Sequence, residues 1–315
     1  MAELAMRKTV TGAVDIGGTK IAVGAVDADG RVLAKEETPT AAQKGFDAAM
    51  KRVAAMLDRV RSKAGDPLGG IGLGCTGPVD PVSGEIGDVE FLPGWNGCNP
   101  VKVLSRIFCV SAAMENDADA MSLGESRWGA GRGKKSMIFV TVGTGIGGGI
   151  VIDGVLYRGV GGAHPEIGHH IIDQDGPVCF CGAKGCWEIL ASGPAMAKRF
   201  HEIPQSSVRA HLTAKDICEL ARKGDEAALR EVGREGHYLG IGLANLVTLF
   251  APDVIALGGN VMGSADLFLP EIRDVIRRCC GLVPSEKVEL KPSELGADVA
   301  LIGAAMVWRH RFEGK

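Results

Sequence analysis

Along the chain, apolar and polar positions first alternate in two short runs. In GAVDIGGTKIAVGAVDADGRVLAKEET, Val14 and Ile16 precede the pair Gly17-Gly18, and Ile21 and Val23 follow it before DADG turns the chain again. Period-two alternation punctuated by glycine predicts strand, turn, strand, turn, strand, an antiparallel meander. Phe46, Met50, Val53, Leu57 and Val60 then recur at spacings of 4, 3, 4 and 3, one face of an amphipathic helix. IGLGCTGPVD reads as a short buried strand ending at a Gly-Pro turn. CVSAAMENDADAMSLGESRWG reads as a strand followed by a helix starting near Asn116.

The opening pattern then returns. SMIFVTVGTGIGGGIVIDGVLYRG is again strand, glycine turn, strand, Asp-Gly turn, strand, with Gly143 matching Gly17 and Gly154 roughly matching Gly30. The recurrence predicts an internally duplicated α/β fold with a boundary near residues 116–120. Farther on, Ser192 is expected to cap a helix, and Thr213 with Asp216 to form a variant capping box. DEAALREVGREGHYLGIGLANLVTLF predicts a long helix, DVIALGGN a buried strand ending in paired glycines, and DVALIGAAMVWRHRF a closing amphipathic helix.

Glycine turns between strands let backbone N–H groups approach an anion, because no Cβ intrudes. DIGGTK places Asp15, Thr19 and Lys20 beside the first turn, and GTGIGGG places Thr144 in the second. Neither loop matches the phosphate-binding GxxxxGK[ST], and neither is a GxGxxG that opens a helix, which disfavours a dinucleotide fold. Either loop alone reads equally well as a hairpin turn needing positive φ. The duplicated pair points to phosphate binding, gripping a nucleotide from opposite sides of a cleft. In ENDADA, Asn116 and Asp117 stand where strand gives way to helix. A carboxylate there is held ionised by the helix N-terminus and can orient an attacking alcohol in phosphoryl transfer; simple N-capping explains the same residues.

Residues 161–188, GGAHPEIGHHIIDQDGPVCFCGAKGCWE, hold three cysteines and three histidines. Cys179, Cys181 and Cys186 form C-x-C-x4-C with a histidine about ten residues upstream. Three thiolates and one imidazole make a closed tetrahedral zinc site with no open position for catalysis, and magnesium fits such donors poorly. From spacing alone, His169 and His170 compete for the fourth position. An architectural ion there would pin the segments bearing Glu166 and Glu188 together, two carboxylates suited to accepting from vicinal sugar hydroxyls. His164, His201, His211, His237 and His310 carry no signal of their own.

Composition narrows the picture. The chain has 315 residues, 46% of them apolar, enough for two domains. A net charge of −3 gives no bulk attraction to nucleic acid, and no apolar run approaches a membrane span. The first dozen residues do not read as a signal peptide. Nine cysteines, an odd number, suit a reducing compartment and metal binding over disulfides, so the cytoplasm is expected.

DIGGTK, GTGIGGG, EIGH and CFCGAKGCWE together resemble the ROK group of sugar kinases and sugar-responsive repressors, over nearly the whole chain to ALGGN and LIGAA. The resemblance implies an α/β, actin-like ATPase (ribonuclease H-like) fold with two α/β domains flanking a cleft. Residues 1–117 would form a smaller N-terminal domain onto which a C-terminal helix, about 301–315, packs back. Residues 118–300 would form a larger domain containing the zinc motif. It implies ATP-dependent phosphorylation of a hexose at the 6-hydroxyl, glucose first, with fructose, mannose or N-acetylmannosamine as alternatives. A sugar-responsive repressor is the rival class, and its winged helix-turn-helix has no room before a first strand at about residue 9.

By the same resemblance, Asp117 would be the general base. Asn116, Asp117, Glu166, His169 and Glu188 would contact the sugar, and His169, Cys179, Cys181 and Cys186 would bind Zn2+. Asp15, Gly17, Gly18, Thr19 and Lys20 would form the first phosphate loop, Thr144 and Gly145 part of the second, and Gly258 and Gly259 would lie near the nucleoside. ATP, Mg2+ and structural Zn2+ are the implied cofactors. The partners are a hexose and ATP, with no nucleic acid or membrane, in a homodimer or homotetramer. Three positions depart from the family's common pattern: His164-Pro165 before EIGH, Phe91 where a sugar-binding Asn is frequent, and Asp119 in place of an Asn.

Overall fold

The computed structural model describes residues 9–202 and 211–314. Most of the first dozen residues, with their reading against a signal peptide, and Lys315 of the expected closing segment lie outside that range. Among the described residues the first repeat runs β1 (Val10–Ile16), β2 (Lys20–Val26), β3 (Val32–Pro39), α1 (Phe46–Ala64), β4 (Leu68–Cys75), a small hairpin of β5 (Val79–Asp80) and β6 (Glu85–Ile86), α2 (Pro100–Phe108), β7 (Ala112–Asn116) and α3 (Asp117–Trp128). The second runs β8 (Ser136–Val142), β9 (Ile146–Ile152), β10 (Val155–Leu156), α4 (Trp187–Ala191), α5 (Gly193–His201), α6 (Ala214–Arg222), α7 (Glu226–Phe250), β11 (Val254–Gly258), α8 (Ala265–Cys279), β12 (Glu289–Pro292) and α9 (Val299–Phe312).

The two larger sheets share one topology. The first has the order β3-β2-β1-β4-β7 and the second β10-β9-β8-β11-β12. β1 pairs antiparallel with β2 and parallel with β4, and β8 lies beside β9 and pairs parallel with β11. This is the order of the actin-like ATPase, ribonuclease H-like fold. The matched turns share a conformation, with φ of 79° at Gly30 and 76° at Gly154, the left-handed region that favours glycine.

In the first sheet, Asp15 pairs with Gly74 and Cys75 with Asn116, so β1, β4 and β7 end level at their carboxyl ends. Ligands in open α/β sheets bind at such ends. Beneath, the apolar face of α1 (Met50, Val53, Leu57, Val60) is fully buried against Val14, Ile16 and Leu73.

The chain forms two compact units, one of residues 1–133, 149–164 and 294–315, the other of 134–148 and 165–293. The expected boundary at 117/118 separates α3 from β7, but α3 and the β9–His164 segment belong to the first unit. Helix α9 lies in that unit too. It was expected to be amphipathic, but Leu301 through Trp308 are all buried. The helix is covered on more than one side: a Cβ on Gly72 of β4 would fall 1.8 Å from Ala304 O, and one on Gly124 of α3 would fall 3.0 Å from Gly303 Cα. Backbones this close leave no polar face.

Candidate active site

In the first unit, Asp15 is the penultimate residue of β1 and Asp117 opens α3. Gly74 of β4 stands beside both: a Cβ there would lie 3.6 Å from Asp117 Cα and 3.7 Å from Asp15 Oδ1. Burial, and then the negative charge of Asp117, push the Asp15 carboxyl up to about 7, with Lys20 opposing. Asn116 is the N-cap of α3, its Oδ1 accepting from Ala118 N at 2.9 Å and Asp119 N at 3.4 Å. Asp117 Oδ1 also accepts from Ala118 N, at 2.8 Å. Capping thus accounts for Asn116, and it fixes the direction in which Asp117 leaves the strand ends.

None of Gly17, Gly18, Gly143 and Gly145 has positive φ, so the turns do not need glycine for conformation. Gly18 and Gly145 need it for close approach, whereas open space surrounds the Cβ position of Gly143. A Cβ on Gly18 would meet Phe91 Cβ at 2.6 Å, and one on Gly145 would meet Glu188 Oε2 at 2.3 Å. The first loop is held by Gly17 N donating to Lys20 O at 2.9 Å and Thr40 Oγ1 donating to Gly17 O at 2.6 Å. Thr19 and Lys20 are exposed beside it, Lys20 Nζ lying 2.8 Å from Glu37 Oε1. Gly258 packs against the Phe139 ring, and Gly259, with φ of 88°, against the backbone of Val142.

The second unit contains a cavity of about 630 Å³ lined by Gly143, Thr144, Pro194, Lys215, Cys218 and Asn260 among others. Gly145, Gly258 and Gly259 are not in its wall; Asn260 and Val261, which follow the paired glycines, are. The sequence reading missed the contribution of α5 and α6. Its nearest signals were the two capped helix starts, which the structure bears out at Ser192 and at Thr213 with Asp216.

Also in the second unit, the ligand atoms of His169, Cys179, Cys181 and Cys186 lie within 4.8 Å of one another, a cluster of metal-ligand type among the described residues. Cys179 Sγ is 3.6 Å from His169 Nδ1 and Cys181 Sγ is 3.3 Å from Cys186 Sγ. His170 is turned elsewhere, its Nδ1 at 2.5 Å from Ile167 O and its ring against Trp187. Burial pushes the Cys186 thiol up to about 12 and raises Cys179, while the Ala183 backbone N–H lowers Cys181.

Backbone pairing also joins the segments around this cluster: Ile172 N donates to Gly185 O at 2.8 Å and Trp187 N to His170 O at 2.9 Å. Glu166 is exposed. Glu188 is more committed than a free hydroxyl acceptor, with Oε2 accepting from Ile146 N at 2.8 Å and Oε1 standing 3.8 Å from His169 Nε2.

Two of the three departures from the family pattern touch each other. His164 Nδ1 stands 3.0 Å from Asp119 Oδ2, and Arg158 Nη1 donates to the same oxygen at 3.3 Å. His164, which had no signal in sequence, therefore has a buried acidic partner. The third departure, Phe91, is the side chain that covers Gly18.

Fold and site together define a two-unit α/β protein with carboxylates at strand ends, a cavity and a thiol cluster. The ROK family model matches residues 11–311, and the chain belongs to the ROK family. It is 31% identical to the glucokinase of Thermotoga maritima, over 96% of this chain and 98% of that one. Among solved structures, a ROK hexokinase from Thermus thermophilus is 33% identical with a TM-score of 0.82, covering 97% of this chain and all of the other (100%). A ROK family glucokinase from Streptomyces griseus, solved with glucose and AMPPNP, is 32% identical with a TM-score of 0.79, covering 94% of this chain and 98% of that one.

Proposed function

We propose that this chain is an ATP-dependent hexose kinase that phosphorylates the 6-hydroxyl, with glucose the preferred sugar. The observation that carries the reading is Asp117, at the first turn of α3 beside Asp15 and level with the carboxyl ends of the parallel strands, in a chain of this family. Its kinship with glucokinases at about one-third identity supports the sugar.

Asp117 accepts a hydrogen bond from the 6-hydroxyl and orients its oxygen for in-line attack on the γ-phosphorus of ATP. The O–P bond forms as the bond to the β-bridging oxygen breaks, the proton passes to Asp117, and ADP leaves. In a loose transition state the hydroxyl gains acidity late, so a base chiefly positions it. Asn116 Nδ2 remains available to a second hydroxyl because capping uses only Oδ1. Glu166, His169 through Nε2 and Glu188 through Oε1 hold others. The backbone of Gly17, Gly18 and Thr144 and the side chains of Thr19 and Lys20 line the phosphates, and the cavity beside Asn260 takes the nucleoside, with Gly258 and Gly259 shaping its approach.

Magnesium supplies charge neutralisation of the phosphates when bound. Asp15, a half-buried carboxylate beside a second one, is the residue that would hold it through water. Zinc suits the thiol cluster: about 2.3 Å bonds in a tetrahedron place sulfurs roughly 3.8 Å apart, within the observed spread. His169, Cys179, Cys181 and Cys186 would hold it, and its role would be to fix the His169 ring with Nε2 toward Glu188. Fructose, mannose and N-acetylmannosamine are the alternative sugars to compare.

The domain roles follow: the first unit carries the base, the second the nucleoside and zinc. The assembly is a homodimer or homotetramer, which light scattering on the purified chain distinguishes from a monomer. Coupled ADP release across the four sugars tests the reading. Sugar-dependent turnover supports it, whereas DNA retardation without turnover would favour the repressor class.

A further inference from the structure

The chain passes between its compact units four times, after residues 133, 148, 164 and 293. All four first-unit ends meet one face of α3. Asp119, Ser122 and Glu125, spaced three apart, are buried with no exposed surface. Positions three apart are offset by about 60° around a helix, so these three side chains cover one side of α3 across an arc of about 120°. Glu125 Oε2 accepts from Ala130 N at 2.8 Å, in the turn leading to the first passage. The same carboxylate takes the last one, accepting from Glu294 N at 3.3 Å and Leu295 N at 3.0 Å. At the second passage Gly149 is seated on this face: a Cβ there would lie 2.4 Å from Ser122 Oγ and 2.8 Å from Asp119 Oδ1. At the third, Asp119 Oδ2 takes Arg158 and His164, the last residue before the chain leaves.

Three buried polar side chains inside a helix are an expense to the fold unless each is matched, and a hydrophobic face would pack at least as well. Here Asp119 Oδ2 and both oxygens of Glu125 are matched at chain passages, while Ser122 Oγ donates to Ala118 O of its own helix at 2.6 Å. We propose that Asp119 and Glu125 are positioning residues. They fasten the segments leading from the second glycine loop and into Pro165-Glu166 to the same rigid helix that begins with Asp117. Loosening either anchor frees the segment it holds within the first unit and blurs the presentation of Asp117 by α3.

The kinetic part of this inference rests on the kinase reading; the fastening itself does not. Amide hydrogen exchange on the substrate-free protein is therefore measured first. In Asp119→Asn, exchange over residues 150–164 is expected to speed about tenfold, and in Glu125→Gln over 129–133 and 294–297, with α1 unchanged. Steady-state kinetics follow on the same samples. The sugar KM rises about tenfold with kcat within about threefold, whereas partial misfolding would lower the active fraction and leave KM alone. His164→Ala reproduces the Asp119→Asn pattern more mildly and carries the test if that variant does not fold. Unchanged exchange in those segments, in variants whose thermal stability nevertheless falls, would overturn the fastening. Faster exchange with unmoved KM would overturn the positioning role, and absence of turnover in the wild type would instead remove the kinase reading.

Discussion

Asp15 and Asp117 are two carboxylates in one small region, and their proximity makes a prediction about pH. In the folded protein, burial and the charge of Asp117 raise the Asp15 carboxyl from its ordinary 3.8 to about 7. A raised carboxylate contributes its stability fully below the unfolded value, and that contribution is lost as pH climbs through the folded one. Between pH 5 and pH 8 the substrate-free protein should lose up to about 2 kcal/mol through this group, and Asp15→Asn should lose correspondingly less. Urea melts at the two pH values check it, and equal losses in both proteins would contradict it. For Asp117, replacement by Asn is expected to lower kcat at least about 100-fold with modest change in sugar KM, since the amide keeps the shape and removes the acceptor charge.

At this scale the residue types were legible but their commitments were not. Gly18 and Gly145 stood out as glycines, yet nothing in sequence says that Phe91 and Glu188 fill the space above them. A side chain arriving from dozens of residues away leaves no local mark. The same holds for the contact of His164 with Asp119.

Among the elements, the thiol loop and α9 have the clearest consequences. If zinc orients His169, Cys181→Ser should lose the metal and raise the sugar Kd together, read by metal analysis and calorimetry. Backbone pairing between the His170 and Gly185 segments predicts that the loop stays folded meanwhile, so retained sugar affinity in a metal-free variant would break the link. In α9 the contact is backbone on backbone. Gly72→Ala would drive a methyl group into Ala304 O and should cost about 2–3 kcal/mol in a denaturant melt, while Gly94→Ala, where open space surrounds the Cβ, tests positive φ alone.

Strands and helices with a clean period, such as β1, β2 and α1, were readable because one buried face and one open face write that period into the sequence. The same logic fails for α9, buried around its central turns, and for β12, a partly exposed strand of four residues with Pro292 at its end.

At the scale of the whole molecule, the duplication was visible because each half repeats strand, glycine turn, strand at a matching offset, and both sheets share one order. The interleaving of the units was not visible. A linear pattern marks where a repeat begins and is silent about which neighbours a segment packs on, so α3 fell on the wrong side of the expected boundary. The compact units also give α3 two duties, as the helix that presents Asp117 and as the seat of the four chain passages. The account as a whole stands on sugar phosphorylation. Its most direct test is ADP release by the purified wild-type chain with magnesium and ATP, assayed with glucose, fructose, mannose and N-acetylmannosamine. The account predicts sugar-dependent turnover, highest with glucose and yielding the 6-phosphate; ADP release no faster with any of the four sugars than without sugar would contradict it.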